Sequence, residues 1–270
     1  MQGRLLPKYQ GRYQAFPKGM WQEEFRMARD LNLDLIEFIL DYNDVENNPL
    51  INKYGIKEII SIIENTGVGV QTICADYFME APLHSSNIRL VKRSQNILLK
   101  LLDNAINLGV TDIVIPCVDH SSLKDQKSID RLIKNLSPIL KNIEKSNINL
   151  SLETDLDPTS FINLLNRFQS NHIKVNYDIG NSSALGYDFI EELVTYGKHI
   201  SVIHIKDRVR KGRSVPLGEG DADFRKFFTK LKLYGYKGPF IMQAFRDDEG
   251  IEIFKKQLSF IKPFIENFYQ

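Results

Sequence analysis

The chain of 270 residues carries 35 lysines and arginines against 34 aspartates and glutamates, which gives a formal net charge of +1. Proteins that bind nucleic acids by neutralising phosphates usually show a basic excess, and acidic disordered chains show the opposite excess with few aromatic residues. With 43% hydrophobic and 10% aromatic residues, this composition is that of a globular protein. It therefore argues against both of those classes.

Targeting and crosslinking signals are also missing from the sequence. The first residues, MQGRLLPKYQGRYQ, contain no apolar core of a secretory signal, and no run approaches the ~18 apolar residues that cross a bilayer. Two cysteines, Cys74 and Cys117, cannot build a disulfide framework and are expected to be buried thiols. The sequence predicts a cytoplasmic protein without a membrane or nucleic-acid partner.

Apolar runs of strand length alternate along the chain with longer segments of helical period. The runs start every ~34 residues, which is the size of one strand–helix unit. Strands are predicted at Leu33–Ile39, Val68–Cys74, Asp112–Cys117, Asn149–Thr154, Lys174–Asp178, Ile200–Ile205 and Pro239–Ala244. Helices are predicted at Trp21–Leu31, Asn87–Leu108, Ser128–Lys145, Pro158–Phe168, Asp188–Tyr196, Asp223–Tyr234 and Glu249–Phe268.

Seven strands alternating with helices predict a parallel sheet, one strand short of a closed (β/α)8 TIM barrel. The missing strand must lie before the first helix, where Met1–Leu6 is the only candidate. Either this first strand is short, or a few residues are absent upstream of the first methionine. No linker or low-complexity segment interrupts the pattern, so a single barrel domain over residues 1–270 is expected.

The active site of such a barrel lies at the carboxyl ends of its strands. Glu153, Asp178 and His204 occupy equivalent late positions in three consecutive predicted strands. A charged group inside an apolar run is costly unless it is paired or coordinated. Two carboxylates and an imidazole suit Mn²⁺, Mg²⁺, Co²⁺ or Zn²⁺, so the three residues predict a divalent-metal site. Further polar residues at or just after strand ends are Glu37, His84, Asp119, His120, Lys206, Asp207 and Gln243.

Several segments resemble the sugar phosphate isomerase/epimerase group of xylose-isomerase-like barrels. The resemblance rests on SLET, VNYDIGNSSA and HIKD with GEGDADF downstream, and it covers most of the chain. The group includes ketose 3-epimerases, hydroxypyruvate isomerase and inosose dehydratase. The resemblance implies one divalent cation bound by four residues, which match Glu153, Asp178, His204 and Gln243 here.

The last of these positions departs from the group, whose epimerases have a second glutamate there. A glutamine amide oxygen can bind a cation, but it neither accepts nor donates a catalytic proton at neutral pH. Glu153 is then left as the single base. Asp247, Asp248 and Glu249 follow nearby and are weak candidates for a second proton group, since an acidic cluster at a helix start is common.

A substrate-binding set is expected around the metal. The resemblance assigns it an arginine shortly after His204 and a residue three positions after Asp178, and the remaining candidates come from loops and strand ends on the same face. The predicted substrate contacts are Arg210, Asn181, Glu37, His84, Trp21 and Glu219.

The resemblance implies abstraction of a proton next to a carbonyl, formation of an enediolate and return of the proton. One carboxylate suffices for isomerisation on one face, so an isomerase acting on a small sugar or sugar phosphate is favoured. An epimerase, a dehydratase and a non-catalytic metal- or sugar-binding protein are alternatives, the last because of Gln243. An abasic-site endonuclease on the same barrel is disfavoured by five histidines and the near-neutral charge. Related barrels often form homodimers or homotetramers.

Overall fold

The structure is a computed structural model that describes residues 1–3, 5–247 and 250–270. The strands are β1 (Leu35–Ile39), β2 (Gly69–Cys74), β3 (Asp112–Cys117), β4 (Asn149–Thr154), β5 (Ile173–Asp178), β6 (Ile200–Ile205), β7 (Asp207–Arg208), β8 (Ser214–Val215) and β9 (Phe240–Met242). The helices are α1 (Trp21–Asp30), α2 (Lys53–Thr66), α3 (Tyr77–Glu80), α4 (Ile88–Ala105), α5 (Gln126–Leu136), α6 (Leu140–Ser146), α7 (Pro158–Phe168), α8 (Ile179–Leu185), α9 (Phe189–Tyr196), α10 (Phe224–Leu231) and α11 (Ile251–Tyr269).

Seven strands form one parallel sheet in the order β1-β2-β3-β4-β5-β6-β9, with each strand beside the next sheet strand in the chain. All six pairings are parallel, and β3 and β4 are paired over six positions. Helices join successive strands, as parallel connections require. The predicted α/β barrel is thereby confirmed.

The remaining gap between β9 and β1 is bridged by Gln2. Its backbone N–H donates to Met242 (3.1 Å), and it forms a parallel bridge with Glu37, whose N–H donates to the carbonyl of Met1 (2.7 Å). The predicted first strand is therefore present as a single bridging residue, and the predicted span Met1–Leu6 is too long; it includes position 4, which lies outside the described residues.

The barrel interior has its own small apolar layer, separate from the main core between sheet and helices. It consists of four buried side chains from four strands, Cys74, Val114, Val202 and Ile241. Strand side chains alternate in direction. His204 therefore faces the same side as Val202, two positions earlier, at the carboxyl end of the barrel.

Two of the predicted helices end differently in the structure. The predicted helix Ser128–Lys145 is divided into α5 and α6 by a 3-10 turn at Ser137–Ile139. That turn contains Pro138, which lacks the N–H that continues an α-helix. The predicted helix Asn87–Leu108 becomes α4 plus a 3-10 turn, and Asn87 caps it from outside by accepting N–H groups of Arg89 and Leu90.

Three helices are absent from the sequence-based prediction: α2, the four-residue α3 and α8. Helix α2 is framed by an Asn52 side-chain cap and by Gly67 in the left-handed conformation (φ 74°), and its apolar face buries Ile56 and Ile59. Helix α8 is only seven residues long and follows β5 directly, with Asp178 as its cap. The predicted last helix starts at Glu249, which lies outside the described residues. Among the helices of the described residues, none combines the length and apolar character needed to span a membrane.

Candidate active site

Three side chains from neighbouring strands meet at the carboxyl end of the barrel. Glu153 comes from β4, Asp178 from β5 and His204 from β6, and all three are buried. Each offers one ligand atom, and these atoms lie within 4.8 Å of one another. The register explains the meeting, because Asp178 pairs with His204 across the β5–β6 ladder.

Amide groups hold the carboxylate of Glu153. Asn176 Nδ2 donates to Oε2 (3.0 Å) and Asn181 Nδ2 donates to Oε1 (2.7 Å), while His204 Nδ1 lies 3.8 Å from Oε2. Burial and the charge of Asp178 raise the pKa of Glu153 to about 7. A carboxyl group with a pKa near neutrality is suited to accept and release a proton.

The His204 ring lies between two carboxylates. Its Nδ1 faces Glu153, and its Nε2 lies 3.0 Å from Glu37 Oε1, close in distance but not aligned as a hydrogen bond. Burial lowers the pKa of His204, but Glu37, Glu153 and Asp178 outweigh burial and raise the pKa to about 9. Glu37 therefore acts on the imidazole, and its carboxylate is wholly buried.

Lys206 lies between Asp178 and Gln243, the residue expected as the fourth metal ligand. Its Nζ lies 3.4 Å from Asp178 Oδ2 and donates to Gln243 Oε1 (2.9 Å). The amide nitrogen of Gln243 donates to Gln2 Oε1 (2.7 Å). Both ends of the Gln243 amide are thus in hydrogen bonds, and its role as a ligand stays a prediction.

The donor chemistry of Glu153, Asp178 and His204 fits a divalent cation. Two carboxylate oxygens and an imidazole nitrogen are within the span of one coordination shell, in a buried place where the carboxylates carry excess negative charge. Binding a cation there would release the proton from the imidazole, since only the neutral ring coordinates a metal.

A cavity of about 420 Å³ opens above this cluster, a volume suited to a small ligand. Its wall carries many polar and charged side chains and few apolar ones. The lining residues are Arg12, Tyr13, Gln14, Asp41, Asp76, Met79, Glu80, Pro116, Val118, Asp119, His120, Glu153, Asn181, Lys206, Arg208 and Gln243.

The segment after β6 is fixed to the site by two side chains. Asp207 accepts backbone N–H groups of Gly218 (2.9 Å), Gly220 (3.0 Å) and Ala222 (3.2 Å). A Cβ at position 220 would lie 2.2 Å from Asp207 Oδ1, so glycine is required there. Arg208 donates to Asn181 Oδ1 (2.8 Å), which completes a chain from Arg208 through Asn181 to Glu153.

Of the six predicted substrate contacts, only Asn181 lines the cavity. Glu37 lies at the cluster but is wholly buried against His204, and the other four lie elsewhere. Arg210 lines a separate cavity of about 280 Å³, and Arg208 occupies the place expected for it. Trp21 is buried against Phe25 and Phe38, so its ring packs in the core. The positions of Arg210 and Trp21 depend on packing that the sequence pattern does not define.

His84 and Glu219 also lie outside the cavity lining. His84 is buried, and its carbonyl accepts a hydrogen bond from Arg131 Nε (2.6 Å). Glu219 is exposed between the two glycines that bind Asp207. The candidate Asp247 is described but does not line the cavity, and Asp248 and Glu249 lie outside the described residues.

Several residues of the site were missed from the sequence. Asn176 has a detectable signal, because it is two positions before Asp178 and so faces the same side of β5. Asp76 follows β2 by two residues, as the predicted candidate Asp119 follows β3. Arg12 and Gln14 have no such signal, since they lie in an irregular segment whose path the sequence pattern does not define.

Comparisons with known proteins identify the family and the fold. The profile of the xylose isomerase-like TIM-barrel family matches residues 25–264. L-ribulose-5-phosphate 3-epimerase UlaE of Salmonella paratyphi A is 26% identical over 243 residues, covering 86% of this chain and 85% of that protein. A D-psicose 3-epimerase crystallised in the presence of D-fructose superimposes with a TM-score of 0.74 at 17% identity, covering 92% of this chain and 94% of that one. A xylose isomerase-like barrel from Mycobacterium smegmatis in complex with magnesium has a TM-score of 0.71 at 16% identity, covering 93% and 90%.

The chain belongs to the xylose isomerase-like TIM-barrel family. Within that family it falls in the sugar isomerase and epimerase group, in agreement with the resemblance read from its sequence, and it is an isomerase-class enzyme.

Proposed function

We propose that this enzyme is a divalent-metal-dependent isomerase or epimerase that moves a proton on the carbon beside the carbonyl of a small sugar or sugar phosphate. The observation that carries the proposal is the cluster of Glu153, Asp178 and His204, of which Glu153 lines the 420 Å³ cavity. Relatives named as L-ribulose-5-phosphate 3-epimerases support a ketose or ketose phosphate as substrate.

Glu153, Asp178 and His204 would hold the metal, with the Gln243 amide oxygen as the expected fourth ligand. When bound, a divalent cation supplies Lewis acidity, which lowers the pKa of a C–H group beside a coordinated carbonyl. The structure supports this assignment through the donor set and its burial.

Glu153 would be the base that removes the proton. It lines the cavity, and burial raises its pKa to about 7. The amides of Asn176 and Asn181 fix both of its oxygens, so the carboxylate is oriented before substrate arrives. Loss of the proton leaves an enediolate, and the product depends on the carbon and the face to which a proton returns.

The cavity can also orient the substrate. Arg12, Lys206 and Arg208 contribute positive charge to the wall. Asp41, Asp119 and other carboxylates there would accept hydrogen bonds from the hydroxyl groups of a sugar. Arg208 is the favoured contact for a hydroxyl, carbonyl or phosphate oxygen, because its guanidinium lies at the cavity and is already held by Asn181 and by the Gly212 carbonyl.

Metal binding is tested by calorimetric titration with Mn²⁺ of the wild type, Asp178→Ala and Asp30→Ala. Asp30 is an exposed carboxylate at the end of α1 and serves as the matched control. We expect binding by the wild type and by Asp30→Ala, and loss of binding by Asp178→Ala. Equal binding by all three proteins contradicts the proposed site.

Proton abstraction is tested by incubating ketoses, aldoses and their phosphates in deuterium oxide, with L-ribulose 5-phosphate as the first probe. We expect deuterium to enter a carbon beside the carbonyl in the wild type and not in Glu153→Gln. A compound that binds tightly without exchange in any of the preparations contradicts the proposed chemistry.

A further inference from the structure

The glutamine at position 243 leaves the site without a second proton-transfer group at that position. Inversion at a carbon requires one group to remove a proton and a second group to return one from the other side. Gln243 cannot serve as that second group. Its amide is also engaged in hydrogen bonds, because the oxygen accepts from Lys206 and the nitrogen donates to Gln2.

Apart from Glu153, two carboxyl groups line the cavity without an ion-pair partner among the described residues, Asp76 and Asp119. Asp119 is exposed, whereas Asp76 is partly buried. Asp41 is paired with Arg12 (2.8 Å), Glu80 with His120 (3.2 Å) and Asp178 with Lys206. Asp76 is bound instead by neutral donors: Gln14 Nε2 donates to both oxygens (3.0 and 3.3 Å), and the Cys74 thiol donates to Oδ1 (3.2 Å). Within the described residues, no lysine, arginine or histidine forms an ion pair with Asp76.

The surroundings of Asp76 raise its pKa toward neutrality, so this carboxyl group takes up and releases a proton closer to neutral pH than an ordinary aspartate does. Burial raises its pKa to about 6, with Asp41 and Glu37 adding to the shift, while the Cys74 and Gln14 hydrogen bonds oppose it. The pKa of the Cys74 thiol is raised well above its ordinary value, so the thiol stays a donor.

The location of Asp76 also suits a partner to Glu153. Asp76 follows β2 and Glu153 lies in β4, so the end of β3 stands between them, where Pro116 and Val118 line the same cavity. The charge of Asp76 contributes to the raised pKa of Glu153, so the two groups are within electrostatic reach.

We propose that Asp76 is the second proton-transfer group of this enzyme and replaces the carboxylate missing at position 243, so that the reaction is an epimerisation. This inference rests on the proposed function. Glu153 takes the proton from the carbon, the C–H electrons form the enediolate, and the carbonyl C=O becomes C–O. The Asp76 carboxylic acid then gives its proton to the same carbon from the other side, and the carbonyl reforms. Glu153 ends protonated and Asp76 ionised, and exchange with water resets both.

The test separates proton removal from inversion. L-ribulose 5-phosphate, or the ketose of the panel that the wild type labels, is incubated in deuterium oxide with the wild type, Asp76→Asn, Asp76→Glu and Asp44→Asn. Nuclear magnetic resonance follows deuterium in the recovered substrate and formation of the epimer. Asp44 is an exposed carboxylate after β1, paired with Lys18 and outside the cavity lining, and serves as the matched control.

We expect Asp76→Asn to label its substrate with retained configuration within about threefold of the wild-type rate, because Glu153 is intact. Epimer formation should fall by about 100-fold or more, the usual contribution of a general acid. Asp76→Glu should restore part of it, and Asp44→Asn should match the wild type in both readouts.

Three results overturn the inference while the proposed function stands: epimer formation by Asp76→Asn at the wild-type rate, joint loss of labelling and inversion in a folded Asp76→Asn, or a wild-type product that is an isomer and not an epimer. Absence of label with the wild type, or label with Glu153→Gln, overturns the proposed function and this inference with it.

Discussion

Two buried glutamates in this barrel have the same burial and opposite surroundings. Glu192 of α9 accepts hydrogen bonds from the hydroxyl groups of Tyr177 (2.7 Å), Tyr196 (2.6 Å) and Ser182. Glu153 accepts two amide hydrogen bonds and stands among Asp178, His204 and an open cavity. Burial raises the pKa of both carboxyl groups.

We expect this difference to separate a structural carboxylate from the proposed base. The oxygens of Glu192 are satisfied by neutral groups that belong to its own packing, so it contributes to stability. Glu153 is held by neighbours on one side and exposed to a cavity on the other, beside a second carboxylate. Burial alone is shared by both glutamates, whereas a neighbouring like charge and access to the 420 Å³ cavity belong only to Glu153, the proposed base.

The largest expected effect is on catalysis by Glu153→Gln. Loss of the base should lower kcat/KM by about 10²- to 10⁴-fold. Stability should be little changed, because Asn176 Oδ1 has no partner and can accept from the new amide once the Asn176 amide rotates. The rate of epimer or isomer formation measures the loss of activity, and thermal unfolding measures the change in stability. A stability loss as large as that of Glu192→Ala would contradict the comparison.

Glu192→Ala should show the reverse pattern. Removing the acceptor of three buried hydroxyl groups should lower the free energy of unfolding by about 3 kcal/mol. Activity per folded molecule should stay close to that of the wild type, since Glu192 does not line the 420 Å³ cavity. Urea denaturation followed by circular dichroism gives the stability, and Glu192→Gln, which keeps the shape, should lose less.

Glu37→Gln tests a group between these two cases. Its carboxylate is buried like that of Glu192 but lies 3.0 Å from the Nε2 atom of a proposed metal ligand, His204. A carboxylate beside a ligating histidine orients the ring and strengthens the donor atom. Mn²⁺ affinity should fall by about 10- to 100-fold in calorimetric titration. Unchanged affinity would place Glu37 with Glu192 as a structural carboxylate.

The smallest expected effect is that of His84→Gln on the pH dependence of stability. Burial lowers the pKa of His84 to about 4 from 6.5. Below pH 6.5 the unfolded chain takes up a proton that the folded chain refuses, so stability falls until pH about 4, where both states are protonated. His84→Gln should lose less in melting temperature than the wild type between pH 6.5 and 4. Parallel curves would show that His84 is not titrating in this way.

Much of the fold and part of the site could be predicted from the sequence. Strands were recognisable as apolar runs, and Glu153, Asp178 and His204 stood out as polar residues at equivalent places in three such runs. Their meeting follows from parallel strands in register, which the alternation of strands and helices implies.

What could not be predicted depends on loop paths and on packing between distant segments. The β7–β8 hairpin places Arg208 at the cavity and Arg210 in another one, a distinction of two residues that no periodicity encodes. Trp21 packs on Phe38 of β1, since its ring finds an aromatic pocket in the core. The hydrogen bonds that hold Asp76 come partly from Gln14, which lies in an irregular segment that lines the cavity.

Because Gln2 closes the barrel, the number of backbone hydrogen bonds between neighbouring strands differs around its circumference. Between β3 and β4 six residue pairs would have to separate, whereas the seam between β9 and β1 is joined through the hydrogen bonds of Gln2 and Glu37 described above. Local opening is easiest where few backbone hydrogen bonds must break. The amide protons at this seam should therefore exchange with solvent sooner than those between β3 and β4. The barrel should open locally more often beside Gln243 and Glu37 than along β4, the strand that carries Glu153.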